Sequence, residues 1–223
     1  MSHRFNPKTL QQTVVATVLV LAVLAAASQV RAAPEPGPAF QSAFQLFSQA
    51  SAGASSAIDK AADEFASLLK AEPANPVLMA YAGASEAMKA KNTALPWKKM
   101  GYAEDGLALV DKSLALLTPA HDTALQHGTP GSLEVRFVAA NTFLAMPGFM
   151  NRGARGAKLL DDVLASPLFA AAPLPFQGTV WMLAASQATK DKRVEDAQRF
   201  LNEVISRNAP QADKARAMLK AAA

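Results

Sequence analysis

The chain has 223 residues, 22 basic and 18 acidic, with no cysteine, 14 prolines, 11 glycines and only two residues each of tryptophan and tyrosine. The absence of cysteine excludes disulfides, thiolate metal sites and a lipidated N-terminal cysteine. Three of the basic residues (Arg4, Lys8 and Arg31) lie in the first 32, so the remainder carries 19 basic against 18 acidic residues, and bulk charge gives no support to a nucleic-acid partner.

Residues 1–12 are basic and free of acid, and an apolar run follows from Thr13 to Ser28. Val30 and Ala32 then stand three and one before a cut after Ala32, which is the layout of a secretory signal peptide. Ala25 and Ala27 offer an earlier cut. The alternative is an uncleaved anchor, since residues 9–30 carry no charge. Either way the positive flank predicts that the rest lies outside the cytosol, in the periplasm or cell envelope. Residues 33–38 read as a stiff linker, and 39–223 as one helical domain.

The first helix is expected from Ala39 to Ser51, with Phe40, Ala43, Phe44 and Phe47 on one stripe. Ser55 and Ser56 suit the cap of a second helix, whose stripe is Ile58, Ala61, Ala62, Phe65, Leu68 and Leu69. Pro76 opens a third from its first turn. An irregular insertion, Asn92–Gly101 (NTALPWKKMG), follows, and a fourth helix then continues to Leu117 with Leu107, Val110, Leu114 and Leu117 inward. After a polar loop, Thr118–Ser132, the fifth helix (Leu133–Ala145) is apolar almost all round and reads as the most buried. A second insertion, Met146–Gly153 (MPGFMNRG), precedes the sixth helix. A proline-bounded connector, Ser166–Pro175, leads to the seventh helix. The eighth carries Val194, Ala197, Leu201, Val204 and Ile205, and a last amphipathic helix, Gln211–Ala222, suits a cap.

Four of these helices end near Pro73, Pro119, Pro167 and Pro210, at intervals of 46, 48 and 43 residues. A near-period of that size points to stacked helical hairpins, an all-α solenoid of about four hairpins plus a C-terminal capping helix. In the last hairpin Trp181, Ala184, Ala185, Ala188, Ala197, Leu201 and Val204, followed by Pro210, resemble the tetratricopeptide repeat signature. Ala61, Phe65, Leu68 and Pro73 match it in the first hairpin, and Gly83, Gly106 and Val110 in the second. The segments AYAGASEAMKAKNTALPWKKMGYAEDGLALVDKSLAL, LEVRF and LAMPGFMNRG also resemble a group of uncharacterised exported bacterial proteins. The repeat resemblance implies protein or peptide binding, often along a groove lined by the first helix of each hairpin.

The two insertions are expected to emerge as neighbours on one edge. They bring Trp97, Lys98, Lys99 and Tyr102 together with Phe149, Arg152 and Arg155, an aromatic and cationic set suited to an acidic peptide, a carboxylate or a phosphate. The competing reading is that Trp97 and Phe149 plug the ends of the core beneath long loops. Arg136 and Asn141, polar on an apolar helix, either line a binding surface or satisfy helix ends. His121 and His127 are spaced as no helical metal pair and read as solvated loop residues. Ser67 and Lys70 have the Ser-x-x-Lys spacing of serine acyl enzymes without its companion motifs. The expected function is therefore non-catalytic, with no cofactor or metal implied. It is a scaffold or adaptor for a protein or peptide, with a small anionic ligand as the alternative and an envelope hydrolase behind both. Membrane contact is expected only through an uncleaved N-terminal segment.

Overall fold

The computed structural model describes residues 37–123, 126 and 128–222. The expected leader and most of the expected linker, along with His127, lie outside the described residues. Among the described residues the structure is helical, without a β-strand, and no helix is long and apolar enough to cross a membrane. The helices are α1 (Pro38–Ser51), α2 (Ile58–Ala71), α3 (Pro76–Lys89), α4 (Pro96–Ala115), α5 (Gly131–Leu144), α6 (Gly153–Ala165), α7 (Leu174–Lys190), α8 (Val194–Ser206) and α9 (Ala212–Ala222).

They pair in chain order. The most extensive packing joins α3 to α4, then α5 to α6 and α7 to α8, with α1 on α2 and α9 on α8. Successive pairs are tied by α2 against α3 and by α5 against both α3 and α4, while α6 and α7 barely touch.

Local chemistry sets the boundaries. Asn75 caps α3, its Oδ1 accepting from the amides of Val77 (3.0 Å) and Leu78 (3.2 Å), and Pro76 occupies the first helical position. Ser55 and Ser56 do not cap α2. They lie inside a 3-10 turn, Ser55–Ala57, and Ala57 precedes the helix without a side-chain cap. Three helices close by the same device, a left-handed residue flanked by paired backbone bonds to the last turn. Gly53 does this for α1, Lys192 for α7 and Asn208 for α8, with φ of 108°, 60° and 52°.

The core follows the apolar stripes. Phe40 and Ala43 of α1 meet Phe65 of α2 and Tyr81 of α3, and the rings of Phe65 and Tyr81 stack at 5.0 Å. In the last hairpin Trp181, Ala184, Ala185, Ala188, Ala197, Leu201 and Val204 are all buried. The small residues there let α7 and α8 approach. Closer still, α3 and α4 cross at Gly83 and Gly106. A Cβ on Gly83 would stand 2.6 Å from the Gly106 carbonyl oxygen, and one on Gly106 would stand 2.5 Å from that of Gly83. Such a crossing admits only glycine on each side.

One expectation is corrected. The most enclosed helix is α3 rather than α5, because every residue from Pro76 to Ser85 is buried. Its neighbours surround it, so α3 has no open face along that stretch. The apolar character of α5 has a different origin. Leu133 and Ala140 pack into the core of the last two hairpins, Val135 and Val138 into that of the first two, and Ala139 and Phe143 against Leu107 and Val110 of α4. Three faces of α5 serve three clusters.

Candidate functional site

The first insertion is shorter than the sequence suggests. Pro96 takes the first position of α4 behind an extended Leu95, so Trp97 to Gly101 belong to the helix and residues 90–95 alone connect it to α3. A 3.6-residue period then sets Trp97, Met100, Glu104, Leu107 and Asp111 along one stripe. The second insertion keeps its irregular backbone. Pro147 leads into a 3-10 turn, Gly148–Met150, and Asn151 adopts the left-handed conformation (φ 54°) before α6 begins.

The two segments meet. Met100, Glu104, Leu107 and Asp111 of α4 face Phe149, Met150 and Arg152 across a cleft of about 470 Å³. Its wall is fixed by Asp111. Arg152 Nη1 donates to Asp111 Oδ2 at 3.0 Å, and Arg155 Nη1 donates to Oδ1 of the same carboxylate. Both guanidinium groups also lie over the Phe143 ring, at 5.4 and 5.0 Å from its centroid. One carboxylate on α4 and one ring on α5 thus hold the start of α6.

Neither Trp97 nor Phe149 plugs the core. They are 69% and 68% exposed, and Leu95 and Met100 beside them are 39% and 38% exposed. Phe149 lines the cleft, while Trp97 stands one turn beyond Met100 on the same stripe. Lys98 and Lys99 flank Trp97, exposed and without an ion-pair partner among the described residues. Tyr102 turns toward α3, with Lys89 Nζ 4.6 Å from its ring. Arg136 and Asn141 lie apart from the cleft, half-buried on α5, and Arg136 donates to the Ser132 carbonyl at 3.4 Å.

Sequence reasoning missed Asp111. Its signal was present, since it stands four residues after the inward Leu107 and so shares that side of the helix. It also missed Glu134, a carboxylate only 1% exposed on α5. The Tyr81 hydroxyl donates to Glu134 Oε1 at 2.8 Å inside the core. Burial pushes the Tyr81 phenol well above its ordinary value, and the charge of Glu134 and its hydrogen bond push it further.

The remaining candidates are dispersed. The ring of His121 accepts from the Thr118 amide at 2.9 Å, closing a capping box on a 3-10 turn, Pro119–Asp122. Ser67 and Lys70 are both exposed on α2. Among the described residues no three histidine or acidic side chains are grouped to hold a metal ion. No known protein family matches the chain, and neither curated proteins nor solved structures are significantly similar to it.

Proposed function

We propose that the chain is a tetratricopeptide-like α-solenoid, exported to the cell envelope, that binds a protein or peptide without catalysis at the edge formed by the start of α4 and the Gly148–Met150 turn. One observation carries this reading. Five large apolar side chains are exposed among the described residues, and four of them (Leu95, Trp97, Met100 and Phe149) belong to this one edge, beside a cleft. Exposed apolar groups gathered in this way mark interaction sites, whereas scattered ones need no explanation.

The hairpin pairing, the small-residue contacts in the last hairpin and the glycine crossing of α3 and α4 support the repeat assignment. The leader pattern supports export. The groove along the first helix of each hairpin is the lesser surface, because α3 is enclosed where it would contribute. A small anionic ligand finds less support, since Arg152 and Arg155 are both already engaged by the Asp111 carboxylate.

The test is capture of partners from envelope extract by the wild-type chain and by a Trp97→Ala, Phe149→Ala double variant. Loss of a specific partner from the variant is the expected result. Equal recovery of every partner by both would remove this edge as the binding surface.

A further inference from the structure

We infer that the partner segment is acidic and inserts one bulky apolar side chain between Met100 and Phe149. This rests on the reading of that edge as a protein-binding surface and adds the chemistry of what it binds.

The charges are partitioned. Residues 87–103 contain Lys89, Lys91, Lys98 and Lys99 and no acid, and residues 145–158 contain Arg152, Arg155 and Lys158 and no acid. The chain beyond residue 32 is otherwise almost balanced, with 19 basic and 18 acidic residues, so seven cations in these two stretches are a local excess, set against Glu104 and Asp111 deeper along the α4 wall of the cleft. Four of the seven already have an acidic partner. Asp111 shares its single charge between Arg152 and Arg155, Glu86 pairs with Lys89, and Asp162 pairs with Lys158. Lys91, Lys98 and Lys99 are exposed and unmatched among the described residues, and all three lie on the α3–α4 side of the cleft. Unmatched cations at the first turn of α4, beside the apolar part of the cleft wall, complement a segment that carries carboxylates next to an apolar anchor. The anchor has its own seat. Met100, Leu107, Phe149 and Met150 supply apolar wall, and thioether side chains adapt to more than one shape of guest.

The partition fixes a register. With the anchor in the cleft, the acidic residues of the guest run toward the first turn of α4. There Lys98 and Lys99 and the unpaired amides of the helix start all favour negative charge.

An unbiased library of displayed peptides selected on the full chain tests this, with recovered peptides titrated against wild type, Phe149→Ala and a Lys98→Glu, Lys99→Glu double variant. Circular dichroism and the thermal midpoint confirm that these surface variants fold. Recovered peptides should combine a bulky apolar residue with neighbouring Asp or Glu. Each variant should weaken them by about tenfold or more, and added salt should weaken them further. Peptides that depend on Phe149 but carry no acid would overturn the inference and leave the proposed function standing. An absence of binders, or binders indifferent to Phe149→Ala, would overturn both. Phe149-dependent binding to vesicles of anionic lipid without any peptide binding would also overturn both, in favour of a membrane surface.

Discussion

Gly83 and Gly106 touch backbone to backbone where α3 crosses α4, each occupying the space a Cβ of the other would need. The nearest atoms are carbonyl oxygens and amides, which do not swing aside as a flexible side-chain end does. Gly83→Ala or Gly106→Ala must therefore separate the helices or bend them. A cost of about 1–3 kcal/mol is expected for either, read as a lower thermal midpoint. Gly101 is the internal control. It lies on the same helix, and a Cβ there meets nothing within 4 Å. Gly101→Ala should raise stability by about 0.5–1 kcal/mol through helix propensity alone.

Lys192 closes α7 in the left-handed conformation at φ 60°, where a Cβ is unwelcome. Its amide bonds to the Thr189 carbonyl and that of Arg193 to Ala188 whatever side chain it carries. Lys192→Gly should keep those bonds, remove the strain and stabilise the chain by about 1 kcal/mol. Chemical denaturation would report it as a higher midpoint with an unchanged slope.

The buried hydrogen bond from Tyr81 to Glu134 gives a dependence on alkaline pH. The folded state holds the phenol protonated beyond its ordinary value near 10. The unfolded chain loses that proton first, so the contribution is intact below about pH 10 and is lost as pH climbs toward the raised value. Denaturation across that range should show stability falling, and Tyr81→Phe should flatten the fall. At neutral pH the same substitution removes a donor from a buried carboxylate and should cost about 1–3 kcal/mol.

Asp111 binds two arginines at the start of α6, Arg152 just before it and Arg155 in its first turn, each partly exposed, so Asp111→Asn should cost only about 1 kcal/mol of global stability. Its larger effect should be local. Amide exchange across Gly148–Arg152 should accelerate in the variant, while that of α7 and α8 should not change.

The two tryptophans differ sharply, since Trp97 is 69% exposed and Trp181 is 6% exposed beneath the Arg207 guanidinium. A neutral quencher should reach the first and spare the second. Trp97→Phe should leave only the shielded emission and alter stability by less than about 0.5 kcal/mol. A large loss of stability would contradict the exposed placement of Trp97.

Most helices were legible because each buries a single stripe, and Phe40, Ala43, Phe44 and Phe47 announce α1 without help from the rest of the chain. The start of α4 was not legible. Trp97, Lys98 and Lys99 break the apolar period by facing solvent, and only Pro96, a residue suited to the first helical position, marked the true boundary. The pairing of Asp111 with Arg152 and Arg155 spans 41 and 44 residues, a distance at which no local pattern survives. Glu134 was hidden by its setting, since one acid in an apolar helix reads as noise until the hydroxyl of Tyr81 is found opposite.

The three-sided burial of α5 bears on how the molecule comes apart. An array of hairpins that touch only their neighbours can melt piecemeal from its ends. Here no cluster can dissolve without exposing a face of α5 that another cluster does not cover. Loosening either half therefore raises the free energy of the other, and the cleft beside Phe149 shares in this through Phe143, whose ring carries Arg152 and Arg155. Melting of the helical domain as one cooperative unit is the consequence, with α5 as its keystone.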